Sequence, residues 1–153
     1  MKFIDLLEEE NILLNYHFIS KKRLFEQVGQ LLGQSRSQGL FIYHSLLDRE
    51  KLGNTSLGTG VALPHGRCLE SDEIRACLIK LSHPADYEAV DNQMVQIVVG
   101  LVFPLEVKPE HRRFLKETAR LFRQHVLYEK LIHIDDKHEM IETILETFEQ
   151  CNS

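Results

Sequence analysis

The sequence predicts an α/β domain in which helices cover a sheet, and three observations lead there. Segments of strand periodicity alternate along the chain with segments of helical periodicity. The stretch Met94 to Phe103 has one polar side chain, Gln96, and so reads as a central strand covered on both sides. The chain has 153 residues with 43% hydrophobic content, enough for a real core, and one domain over residues 1–153 is expected.

The elements follow in order. The first ten residues are acidic and weakly amphipathic, and predict a short helix through Phe3, Ile4 and Leu7. Ile12, Leu14, Tyr16 and Phe18 then alternate with Leu13, Asn15 and His17, the signature of a half-buried strand. Ser20 is placed to cap a helix carrying Leu24, Phe25, Val28, Leu31 and Leu32. Gly33 and the polar stretch Gln34 to Gly39 end that helix in a short loop. A second helix is expected from about Leu40 to Leu52, with Gly53 as its C-cap. On it Ile42, Leu46 and Arg49 share a face. Two readings of Arg49 stand equal: it lays its stem along that face with its charge in water, or it reaches inward to an anion.

Leu57 to Arg67 is the most distinctive stretch. A glycine-broken loop leads through Val61, Ala62 and Leu63, fit for a short buried strand, to His65 between Pro64 and Gly66. Proline fixes the backbone before the imidazole, and glycine after it allows close approach. Cys68 to Glu73 reads as a polar surface segment, and Ile74 to Leu81 as a strand mostly apolar on both faces. Ser82 to Asp86 and Asp91 to Gln93 carry turn chemistry. After the apolar run, Pro104 stops the strand. Pro109 suits the first position of a helix, with Glu110 against its positive end. Phe114, Leu115, Ala119, Leu121 and Phe122 give this helix its apolar side. His111 shares a face with Leu115, Thr118 and Phe122. It is either a histidine at the core edge or a group at a helix start that favours a bound anion. A short helix is expected from Val126 to Ile134. Asp136 and Glu139 form a capping box for a last helix carrying Met140, Ile141, Ile144, Leu145 and Phe148.

Composition limits the function. A net charge of -5 argues against non-specific binding to nucleic acid or anionic membranes. Cys68, Cys77 and Cys151 are odd in number and lack CxxC spacing, so neither a disulfide framework nor a zinc site is predicted. His65 and Cys68 make two ligands without a third, and the aspartates of His133 to His138 serve a helix start, so no metal is expected. No apolar run is long enough for a bilayer, and no signal peptide opens the chain, so a cytoplasmic location without membrane insertion is expected.

Walker, kinase, GxSxG and cysteine–histidine patterns are absent. What remains is an imidazole in a glycine-rich apolar loop, a candidate arginine and a histidine at a helix start. That set suits phosphoryl transfer to and from histidine, since a neutral imidazole is a nucleophile near neutral pH. Backbone N–H groups beside His65, the His111 side chain and the Arg49 fork are the candidate donors to the phosphoryl oxygens, with Gly58, Gly60 and Gly66 as a phosphate-binding loop. With no nucleotide or metal motif and no cofactor expected, the donor is predicted to be another phosphohistidine protein.

Glu50, six residues, Leu57-Gly58, two residues, then Val61-Ala62-Leu63-Pro64-His65-Gly66 resembles the phosphorylation signature of fructose/mannitol-type IIA proteins of the bacterial sugar phosphotransferase system. Leu47 to Gly53, Ala89 to Val95 and Pro104 to His111 extend the resemblance over nearly the whole chain. It is strongest to the nitrogen-regulatory branch, which usually stands free of transport domains. The resemblance implies a mixed β-sheet flanked by helices on both faces. It implies that His65 accepts phosphate from an HPr-like carrier, with His111 and Arg49 assisting, and that the output is phosphorylation-dependent binding to target proteins. A sugar-specific IIA passing phosphate to a IIB domain, and a non-catalytic interaction module on the same fold, are the alternatives. Thr59 stands where asparagine is common. Targets are expected to tell the two forms apart on the surface around His65, Val61 and Leu63; oligomeric state is left open.

Overall fold

The computed structural model describes residues 1–89 and 91–151. Val90, part of the turn likened to the IIA family, lies outside them, as do Asn152 and Ser153. Two short 3-10 turns, Phe3–Leu6 and Glu9–Asn11, stand where a helix was expected and lead into β1, Ile12–Tyr16. Then come α1 (Lys21–Leu32), α2 (Arg36–Leu52), β2 (Val61–Ala62), β3 (His65–Cys68), β4 (Arg75–Ala85) and β5 (Val95–Pro104). The chain continues through α3 (Pro109–Phe122), α4 (His125–Leu131) and α5 (Lys137–Cys151).

The sheet is mixed. β1 runs parallel to β4, β4 antiparallel to β5, and β2 and β3 follow each other in parallel along the far side of β5. The pleat divides β5 between two cores. Ile97, Val99, Leu101 and Phe103 pack with Phe114, Leu127 and Met140 of α3, α4 and α5. Val98 and Val102 pack on the other face with Leu24 of α1 and Ile42 of α2. Helices therefore cover both faces, and β5 is buried as its apolar run predicts.

Several predicted caps are present. Ser20 Oγ accepts the N–H of Arg23 at 3.1 Å, and Asp136 Oδ2 accepts that of Glu139 at 2.8 Å. Others differ. Gln34 to Gly39 is not a loop, because α2 already begins at Arg36, with Ser35 Oγ accepting the Gln38 N–H. Gly39 belongs to a helix crossing: a Cβ on Gly29 of α1 would lie 2.5 Å from the Gly39 carbonyl oxygen. Ser82 to Ala85 extends β4 past a register shift instead of turning. Cys68 opens no surface segment; it ends β3 fully buried. Lys80 sits 4% exposed on β4, in what read as an apolar strand, and its Nζ donates to the Ile134 carbonyl at 2.7 Å and to Asp135 at 2.9 Å.

Candidate functional site

The site grows from a break in the edge strand. β2 pairs with Ile97 and Val98, and β3 resumes opposite Leu101. Between them, Pro64 has no N–H to give, and its carbonyl accepts from Leu101 N at 3.1 Å. The Leu63 carbonyl turns instead to His65, whose Nδ1 lies 2.9 Å away. A carbonyl oxygen only accepts, so Nδ1 carries the proton and Nε2 keeps a free lone pair. Gly66 next brings β3 against α2, since a Cβ there would lie 2.8 Å from Ser45 Oγ.

His65 is half-buried, and burial pushes its pKa below the usual 6.5. The Leu63 carbonyl acts in the opposite direction, Arg49 adds to the lowering, and Glu50 opposes it. The imidazole is therefore neutral near pH 7. Arg49, in the last turn of α2, donates from Nη1 to the Gly53 carbonyl at 2.8 Å. It lines both hollows that His65 lines. Arg49 thus lies beside the same hollows as the imidazole, with one arm of its guanidinium tied to a backbone carbonyl.

His111 is the third residue of α3 and 8% exposed. Its Nδ1 accepts the backbone N–H of Lys108 at 3.1 Å, so its proton sits on Nε2. Its ring is tilted by 43° against Phe103, with centroids 5.8 Å apart. His65, Arg49 and His111 meet in one open cleft of about 360 Å³. One histidine offers a lone pair and the other an N–H donor.

The glycine loop divides. Gly66 lines this cleft, while Gly58 and Gly60 line neither hollow around His65. Both have positive φ, 81° and 87°, and a Cβ on Gly60 would lie 2.5 Å from the Tyr128 ring. Thr59 donates to the Phe122 carbonyl at the end of α3, away from the cleft. Val61 and Leu63 are 0% and 3% exposed, so they offer no surface to a partner.

What sequence reading missed is the charge of the rim. Arg67 and Arg112 line the cleft, and Lys116 and Arg123 the adjoining hollow, against Asp48 alone of the acids. On a chain of net charge -5 this is a local reversal. Spacing on α3 holds part of the signal: Arg112, Lys116, Arg120 and Arg123 recur every three or four residues, all exposed. Leu52 and Val107 stand exposed among these cations.

A neutral histidine and several cations thus share one open cleft on a mixed α/β sheet. Residues 5–147 match the family described as phosphoenolpyruvate-dependent sugar phosphotransferase system, EIIA 2, and the chain belongs to that family. Membership implies phosphoryl transfer at a general level. A nitrogen regulatory protein of Bradyrhizobium diazoefficiens is 34% identical over 135 residues, covering 86% of each chain. The crystal structure of nitrogen regulatory protein IIA-Ntr from Neisseria meningitidis superposes with a TM-score of 0.83 at 31% identity, over 92% of this chain and 97% of that one. Enzyme IIA for mannitol from Escherichia coli, in complex with phosphorylated enzyme IIB, shares the fold, with a TM-score of 0.72 at 20% identity over 92% and 97%. Among the described residues no helix is long and apolar enough to cross a membrane.

Proposed function

We propose that the chain is a phosphohistidine carrier with a regulatory output, in which His65 Nε2 accepts a phosphoryl group from an HPr-like carrier protein. One observation carries this reading: the free Nε2 of His65 shares a cleft with the Nε2–H of His111 and with Arg49. In the transfer the donor P–N bond breaks as the Nε2–P bond forms, and the electron pair of the broken bond stays on the donor nitrogen. The Nδ1–H of His65 remains on the Leu63 carbonyl, which stabilises the positive charge that builds on the ring. His111 and Arg49 serve the equatorial oxygens. Arg67 and Arg112 offset the incoming charge of about -1.5 to -2.

The output is binding to target proteins that differs between the two forms of His65. The nitrogen regulatory names of the relatives favour it over a sugar-specific role passing phosphate to a IIB domain. The recognition surface is the rim of Leu52, Val107, Arg67 and Arg112, on which a phosphoryl group neutralises positive charge. Incubation with phosphoenolpyruvate, the general first enzyme and an HPr-like carrier, followed by intact mass measurement, tests the carrier reading. The wild type gains one phosphoryl group and His65→Ala gains none. Acid-labile phosphate on His65→Ala at the normal rate overturns it.

A further inference from the structure

We propose that Glu50, Thr55 and Tyr87 are positioning residues for His65, acting through a hydrogen-bonded relay that runs from the end of α2 to the imidazole. The proposal rests on the reading of His65 as the phosphoryl acceptor. It begins with a carboxylate whose side chain is 9% exposed. Glu50 Oε2 accepts from Lys21 Nζ at 3.2 Å and from Thr55 N at 3.1 Å, and its Oε1 accepts from Thr55 Oγ1 at 2.6 Å. With its own hydroxyl proton given to Glu50, Thr55 Oγ1 accepts from the Tyr87 hydroxyl at 2.8 Å. Tyr87 is 1% exposed, and Lys21 Nζ lies 4.3 Å from its ring centroid.

Thr55 is thus held at its amide and at its side chain. Its carbonyl then accepts the Leu63 N–H at 2.9 Å, and the Leu63 carbonyl accepts the His65 Nδ1–H at 2.9 Å. A buried carboxylate is costly to keep where apolar packing would serve, so a network of this kind asks for a function beyond stability. The relay supplies one. Leu63 stands in the gap between β2 and β3, next to a proline that gives no ladder bond, so the sheet does not fix its carbonyl. Thr55 fixes it from the outer side. A shifted Leu63 carbonyl releases Nδ1–H, and the proton is then free to occupy Nε2, the nitrogen that has to attack.

Thr55→Val and Tyr87→Phe test the relay, with Thr55→Ser as the conservative variant. The readouts are the ring nitrogen chemical shifts of His65 by NMR and the single-turnover rate of phosphorylation by an HPr-like carrier. The wild type and Thr55→Ser show the Nδ1–H tautomer, whereas Thr55→Val shows mixed tautomers and a transfer rate lower by about ten- to a hundredfold. Should Thr55→Val fail to fold, Tyr87→Phe, which removes one oxygen atom, carries the same readouts. Folded variants that lose stability yet keep the wild-type tautomer and rate overturn the proposal. A wild type that takes no phosphate on His65 sinks the carrier reading instead, and the tautomer shift still decides the relay.

Discussion

His65 and His111 present opposite tautomers to the same cleft. The Leu63 carbonyl holds the proton of His65 on Nδ1, and the Lys108 N–H holds the lone pair of His111 on Nδ1, so the two Nε2 atoms are acceptor and donor. If His111 serves as that donor, His111→Phe slows phosphorylation of His65 by about ten- to a thousandfold, the scale for one oxyanion donor. His111→Gln, whose amide keeps an N–H, recovers part of the loss. Single-turnover rates check this; equal rates for both variants point to packing against Phe103 as the role of His111.

If Arg49 assists the transfer proposed for His65, it does so through geometry as well as charge. Its Nη1 is tied to the Gly53 carbonyl, which leaves the rest of the fork for an anion in the cleft. Lysine has no fork, so Arg49→Lys is expected to lose nearly as much transfer rate as Arg49→Ala. A lysine variant with wild-type kinetics sinks the bidentate reading.

The pH dependence follows from the lowered pKa of His65. Burial is the larger cause and Arg49 a further one, so the folded protein protonates His65 only below the ordinary 6.5. If His65 is the phosphoryl acceptor, its phosphorylation by a carrier stays level through pH 6.5 and falls at lower pH. Stability shares the sign. The unfolded chain takes up this proton first, so the His65 contribution is complete above about pH 6.5 and declines as pH falls toward the folded value. NMR titration checks the order of the causes: Arg49→Ala raises the midpoint, while Glu50→Gln lowers it, because Glu50 acts upward.

Lys80 predicts a stability effect remote from the cleft. Lys80→Met keeps the stem but leaves the Ile134 carbonyl without its buried partner, a loss of about 1–3 kcal/mol. Asp135→Asn changes stability by about 0.5 kcal/mol or less, since the Asp135 side chain is 71% exposed. Denaturant unfolding distinguishes the two. Equal losses assign the energy to the ion pair and not to the carbonyl.

Where one residue type has one local use, the sequence was readable. The apolar run of β5, the Ser20 cap and Pro109 at the start of α3 stand as expected, because period, hydroxyl and missing N–H each act within a few residues. His65 stood out through the longer pattern from Glu50 to Gly66, and not through Pro64 and Gly66 alone. Failures came where a partner lies far along the chain. Gly39 reads as a loop residue until α1 is laid across it, and Lys80 passes unnoticed in an apolar strand until the Ile134 carbonyl arrives 54 residues later. The cations of the rim come from α2, β3 and α3, and no local spacing joins Arg49, Arg67 and Arg112.

The gap at Leu63 and Pro64 also governs what the flank of the sheet offers to other chains. An open outer strand is a template on which a neighbouring molecule can add its own and begin to aggregate. Here that strand is two residues and then four, split by Leu63 and by Pro64, which has no donor. Three of its outward groups are already taken: Leu63 N–H by Thr55, Arg67 N–H by Ser45 Oγ, and the Val61 carbonyl by Leu57. At the opposite flank Asn15, with φ 56°, and a register shift between Leu13 and Tyr16 bend β1 out of line. Among the described residues, both flanks of the sheet therefore offer a neighbouring molecule an interrupted ladder.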